Sequence, residues 1–73
     1  MDTIAIFIQI PPREIAFLTF LLESYEGVTS MRTIDPQKGI MELMVPPHQK
    51  EEVKEILYSL ARDLPIHYLT PLS

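Results

Sequence analysis

The 73-residue chain has no cysteine. Neither a disulfide nor a thiolate–metal site can staple it, so its stability has to come from a packed core or from self-association. Glycine is almost as scarce. Gly27 and Gly39 are the only two, too few for a glycine-rich loop that cradles phosphate. Positive charge is also in short supply, with six Lys and Arg against ten Asp and Glu and a formal net charge of −4. Nucleic-acid binding needs clustered basic residues to displace counterions, and an anionic membrane surface makes the same demand. Neither is therefore expected as a partner. No apolar run approaches the length of a bilayer span. No basic leader followed by an apolar segment and a small-residue cleavage site is recognisable. These absences set the expectation of a cytoplasmic protein of bacterial type.

Reactive groups are few. His48 and His67 are the only histidines. They lack the spacing of metal ligands on one helix, and no cysteine joins them, so no metal site is expected. No serine has a local histidine partner in a recognisable motif. The adjacent Glu51 and Glu52 point in different directions on a helix and belong to a solvated face. No catalytic residue is assigned, no cofactor is expected, and the chain is not expected to be an enzyme.

What the chain does have is apolar content, 47% of its residues, with 22% charged. That balance belongs to a globular chain, and 73 residues make one small domain. In residues 3–10, TIAIFIQI, isoleucines alternate with other residues at period two. This pattern predicts a strand with Ile4, Ile6, Ile8 and Ile10 on its buried face and Ala5 and Phe7 on the other. Pro11-Pro12 ends it. Pro12 suits the first turn of a helix, where its missing N–H is no loss, and Glu14 follows in that turn, where negative charge is favoured. Ile15, Phe17, Leu18, Leu21, Leu22 and Tyr25 fall on one arc of this helix, which Gly27 is expected to stop. Phe20 falls off the arc.

Residues 28–34 predict a weaker second strand whose faces are ambiguous. Asp35-Pro36-Gln37-Lys38-Gly39 is a turn, and residues 40–45 return as a third strand. Glu42 sets the faces of that strand: Ile40, Glu42 and Met44 point one way, and Met41, Leu43 and Val45 point to the core. A second pair, Pro46-Pro47, then precedes a helix from about residue 49 to 63 with the stripe Val53, Ile56, Leu57, Leu60, Ala61 and Leu64. Pro65 stops it, and residues 66–70 form a short last strand.

The order is β-α-β-β-α-β, with the same Pro-Pro device opening each crossover helix. Two interleaved β-α-β units with right-handed crossovers predict an α+β, ferredoxin-like fold. Its four-stranded antiparallel sheet should run 4-1-3-2, with both helices on one face. RNA-binding modules of this topology stack bases on aromatics of strands 1 and 3. Strand 3 offers no aromatic here, and it carries Glu42.

This pattern resembles the ACT-like branch of the ferredoxin-like fold, small modules that sense amino acids in metabolic enzymes and regulators. More narrowly, residues 10–43 resemble a family of short, stand-alone bacterial proteins of unknown function. Pro11-Pro12-Arg13-Glu14, Tyr25-Glu26-Gly27, Arg32-Thr33 and Asp35 carry the likeness, which spans Ile4 to about Leu64. It implies a fold and no activity. ACT-like modules bind ligand at the loop after strand 1, often with a glycine. Here that loop has none.

Two functional expectations follow. The first is association, as a homodimer or higher homo-oligomer and/or with another protein, through outward apolar residues Phe7, Phe20, Ile40 and Met44. Contiguous apolar surface marks interaction sites, and a short chain without staples gains from a partner. The second is a small-molecule site for an amino acid or small anion. It would use Arg13, Glu14, Arg32 and Asp35, with Lys38 nearby, gathered where strand 1, the hairpin turn and the link at residues 63–65 share one edge of the sheet.

Overall fold

A computed structural model of the chain describes residues 3–25, 28 and 30–70. Four strands are joined by two helices: β1 (Ile4–Gln9), α1 (Ile15–Glu23), β2 (Ser30–Asp35), β3 (Ile40–Val45), α2 (Lys50–Leu60) and β4 (His67–Tyr68). The strands form one antiparallel sheet in the order β2-β3-β1-β4. Both helices contribute to a single core cluster against one face of that sheet. This is the ferredoxin-like α+β layout, with the expected strand order.

The two Pro-Pro pairs do the same job in both halves. Pro12 and Pro47 each open a single 3-10 turn, Pro12–Glu14 and Pro47–Gln49, that leads directly into α1 and α2. Each turn is closed by a matching hydrogen bond: Glu14 N–H donates to the Pro11 carbonyl at 2.8 Å and Gln49 N–H to the Pro46 carbonyl at 2.9 Å. A proline at the start of such a turn forfeits no bond, because its N–H would have had no partner there.

Register sorts the side chains. Ile6 lies opposite Leu43 and Ile8 opposite Met41, whereas Ala5, Phe7 and Gln9 lie opposite Met44, Glu42 and Ile40. Opposed residues share a face, so the first set points to the helices and the second away from them. The core consists of Ile6, Ile8, Ile10, Leu18, Leu22, Met41, Leu43, Val45, Val53, Leu57 and Leu64. No polar or charged residue is buried among the described residues. The ambiguous second strand is resolved by its pairing: Met31 packs against the core beside Leu43, Thr33 follows on the same face at the sheet's edge but is exposed, and Ser30 and Arg32 face outward beside Met44 and Glu42. A register shift between Thr33 and Asp35 then interrupts the alternation.

Some elements differ from expectation. Phe17, expected in the buried arc, is 54% exposed. The buried line of α1 is Leu18 and Leu22 flanked by Ile15 and Tyr25. Phe17 lies about 120° round the helix from the middle of that line. Ala61 is exposed, because α2 ends at Leu60 and Ala61 is its capping residue. The proposed stop at Gly27 lies outside the described residues. α1 itself closes at Ser24, whose hydroxyl donates to the Leu21 carbonyl at 2.8 Å.

Two details fix the edges of the central strand. Gly39 has φ +74 and is buried, and its carbonyl accepts from Ile10 N–H at 2.9 Å. A Cβ at Gly39 would sit 1.7 Å from the Ile10 carbonyl oxygen. Glycine is thus required there twice, for the left-handed backbone and for the close approach. On the other side, β4 stops after two residues. Leu69 and Thr70 N–H both donate to the Phe7 carbonyl, at 2.9 and 3.2 Å, and Phe7 N–H donates to the Thr70 hydroxyl at 3.0 Å. A side-chain oxygen takes the place a strand carbonyl would have had.

Candidate functional site

Two surfaces emerge from this framework. The first is the face of the sheet that the helices leave uncovered. The register places Ala5, Phe7 and Gln9 on it from β1 and Ile40, Glu42 and Met44 from β3. Ser30 and Arg32 join from β2 and His67 from β4. Phe7, Ile40 and Met44 are each half-buried. Between them, Arg32 Nε donates to Glu42 Oε1 at 2.6 Å, a short charge-assisted contact. The Glu42 side chain is only 13% exposed and that of Arg32 73%, so the carboxylate is the enclosed partner and the arginine the solvent-facing one. The pair cancels its own charge. An open cleft of about 490 Å³ runs alongside it, lined by Ser30, Met31, Arg32, Glu42 and Met44.

Phe20, the second apolar point expected for association, lies apart from this face. It is 72% exposed on α1, on the opposite side of the helix from Leu18 and Leu22. With Phe17 it gives α1 an apolar outer side. Phe20 and the sheet residues therefore belong to two surfaces, because α1 packs on the other layer of the domain.

The second surface is the edge where β1 ends. An open cleft of about 630 Å³ lies there. The end of β1 and its Pro-Pro pair form one wall, Lys38 of the hairpin lies beside it, and Ala61, Pro65, Ile66 and His67 form the other. The shared edge expected from the topology is therefore present. The four charged residues assigned to it from the sequence are not gathered in it. Arg13 pairs with its neighbour Glu14, with 3.8 Å between Nε and Oε1, and its side chain is 77% exposed. Asp35 Oδ1 accepts the backbone N–H groups of Gln37 and Lys38, at 3.0 and 3.1 Å, and so closes its own turn. Arg32 is on the open sheet face with Glu42. Of the residues around that site only Lys38 lines the cleft. Gln9 and His67, which do line it, were not singled out. They stand opposite each other across β1 and β4. That adjacency depends on a two-residue strand whose facing the sequence left unassigned.

Tyrosines mark the helix layer. The Tyr25 hydroxyl donates to Glu52 Oε2 at 3.0 Å, linking the end of α1 to the start of α2. Burial, that bond and the Glu52 charge all push the Tyr25 phenol above its usual range. Tyr68 packs edge-on against Tyr58, with centroids 5.8 Å apart. Its hydroxyl is buried with no hydrogen-bond partner among the described residues, and burial followed by the neighbouring Tyr58 raises its pKa. Among the described residues no cluster of three His, Asp or Glu side chains could hold a metal ion, and no helix is long and apolar enough to cross a membrane.

A small α+β domain with an open sheet face and a cleft at the end of its first strand is the class of protein these features define. The chain belongs to the family described as a domain of unknown function (DUF4911), which matches residues 8–63. The matched span runs from the second half of β1 to just past α2, so it includes both Pro-Pro turns and the hairpin. No curated protein and no solved structure matches the chain.

Proposed function

We propose that this chain is a cytoplasmic, ACT-like association module of bacterial type, without catalytic activity, whose uncovered sheet face takes a second copy of itself in a twofold dimer. The observation that carries this reading is the composition of that face. Phe7, Ile40 and Met44 surround an ion pair that is already neutral. Apolar residues set around a satisfied polar pair are what an isologous contact needs, since the same patch must meet itself across the axis. Charge favours a second copy over a strongly charged partner. The chain carries −4 overall, yet Arg32 and Glu42 at the centre of its open face carry one charge of each sign, and Asp35, opposite Ile40 at the end of the face, is turned to its own hairpin backbone. Across a twofold axis, Arg32 of one copy could approach Glu42 of the other without like charges meeting. A short chain without disulfides also gains stability from such burial.

The test is solution mass by light scattering over a range of concentrations at moderate salt. The wild-type chain is expected to be a dimer that dissociates on dilution, with a melting temperature that rises with protein concentration. Phe7→Asp is expected to give a monomer. Should that variant fail to fold, Met44→Gln on the same face serves instead. A wild-type chain that stays monomeric at high concentration refutes the reading, and so do variants that keep the wild-type mass.

A further inference from the structure

The cleft at the end of β1 has a chemical bias that the rest of the molecule lacks. Acidic residues outnumber basic ones ten to six, yet no Asp or Glu among the described residues lines this cleft. Its charged or polar side chains are Lys38, His67 and Gln9. The side chains of Lys38 and His67 are exposed, and neither side chain bonds to another among the described residues. Gln9 is already oriented, because its Nε2 donates to the Lys38 carbonyl at 2.9 Å. That bond uses one amide N–H and leaves the other free. The three residues line one cleft from β1, the hairpin and β4, so a ligand seated there would lie beside all three elements.

The remaining walls are apolar and stiff. Pro11, Pro12 and Pro65 line the cleft with Ile10, Ala61 and Ile66. Proline holds φ fixed and offers no N–H, so these walls cost little to order around a ligand and favour an apolar body. Ile10 itself is held by Gly39, through the 2.9 Å bond to its N–H. A concave apolar site with a few convergent polar groups is the usual form of a small-molecule pocket.

We propose that this cleft binds a small organic carboxylate with a short apolar chain and no amino group. Lys38 and His67 take the carboxylate, Gln9 donates to it, and the proline-lined walls cover the chain. The missing amino group is part of the proposal. An α-ammonium is best met by a carboxylate, and no Asp or Glu among the described residues lines the cleft. Only neutral oxygens such as Gln9 Oε1 are left to accept from it, beside the positive charge of Lys38. An amino acid would therefore have no opposite charge for its ammonium and keep the desolvation cost. This site does not need the dimer and stands if that reading fails. Gln9 and His67 also stand at the margin of the proposed dimer face, so hexanoate is titrated into Met44→Gln as well and is expected to bind it at least as tightly.

The probes are hexanoate, its 2-amino derivative norleucine, and hexanol, each titrated into the 15N-labelled chain and followed by two-dimensional 1H–15N NMR. Hexanoate is expected to give saturable shifts in the millimolar range at Gln9, Ile10, Lys38, Ala61, Ile66 and His67. Norleucine and hexanol should bind several-fold more weakly. Lys38→Gln should weaken hexanoate about three- to tenfold, as expected for one charge-assisted contact at an open site. The charge-matched Lys54→Gln, on the surface of α2, should leave it within about twofold. Absence of saturable shifts in the cleft overturns the proposal. Norleucine binding as tightly as hexanoate, or equal losses in the two lysine variants, also overturns it.

Discussion

Replacing Gly39 separates two causes that usually act together. Its φ of +74 alone makes alanine unfavourable by about 1–2 kcal/mol. The second cause is contact. A Cβ would stand 1.7 Å from the Ile10 carbonyl oxygen, 2.9 Å from its carbon and 3.4 Å from Pro12 N. These are backbone atoms and cannot swing away. The hairpin and the end of β1 would have to part by more than 1 Å, breaking the bond between Ile10 N–H and the Gly39 carbonyl, worth about 1 kcal/mol. Ile10 is 2% exposed, so its displacement also loosens the core, at a further 1–2 kcal/mol or so. Together Gly39→Ala should cost about 3–5 kcal/mol. A domain of this length has a total stability of about 4–11 kcal/mol, so the variant should be at least partly unfolded. Gly39→Asn supplies the discriminating arm. Asparagine tolerates left-handed backbone better than alanine, but it carries the same Cβ. If contact dominates, the two variants lose nearly the same stability in urea titrations monitored by far-UV circular dichroism. An asparagine variant more than about 1 kcal/mol more stable than the alanine variant would refute the contact argument. A loss below about 1 kcal/mol in both would refute the fixed position of Ile10.

Thr70→Val keeps shape and removes the hydroxyl that accepts Phe7 N–H. It should cost about 1 kcal/mol in chemical denaturation, with faster amide exchange at Phe7, and unchanged exchange there would contradict the stand-in role. Tyr68→Phe removes a buried hydroxyl without a partner. It should leave stability unchanged or raise it by up to about 1 kcal/mol, whereas a clear loss in the urea midpoint would mean that the hydroxyl is satisfied. Alkaline pH tests Tyr25 and Tyr68. Both phenols are held above the usual value of 10.0 in the folded chain. The unfolded chain therefore releases these protons first, and stability is full below about pH 10 and falls as pH rises through it. Urea midpoints from pH 9 to 11 should decline less steeply in Tyr25→Phe, and an identical slope would exclude the Tyr25–Glu52 contact as a cause.

The fold was legible because several local signals agreed. Period-two isoleucines in residues 4–10, Glu42 in an otherwise apolar strand, and Pro-Pro at two matching boundaries all specify the same register and the same crossovers. Residues 28–34 were not legible, because polar and apolar side chains alternate there on both faces. The pairing with β3 and the irregularity after Thr33 settle the facing, and neither leaves a mark in the sequence. Phe17 misled because apolar character surrounds most of α1. Only the choice of Leu18 and Leu22 as the buried line, a matter of packing against the sheet, tells inner from outer. The charged residues Arg13, Glu14, Arg32 and Asp35 were placed near one edge by topology, but each is engaged locally. Gln9, Lys38 and His67 come together across elements up to 58 residues apart, a proximity that only the completed sheet creates.

The order β2-β3-β1-β4 bears on how the chain reaches this state during its synthesis. β1 is made first, yet neither of its neighbours is next in sequence. Its first partner, β3, comes thirty-odd residues later, and its second arrives with Thr70, 63 positions after Phe7. Until then one side of the most apolar strand has no ladder to complete. At about 5–20 residues per second, the nascent segment spends several seconds in that condition. Its long-range pairings place the domain among slower-closing topologies for its size. The stop signals after each strand thus have a temporal use as well as a spatial one: Pro11-Pro12 and Pro46-Pro47 stop exposed apolar strands from lengthening while they wait for their partners.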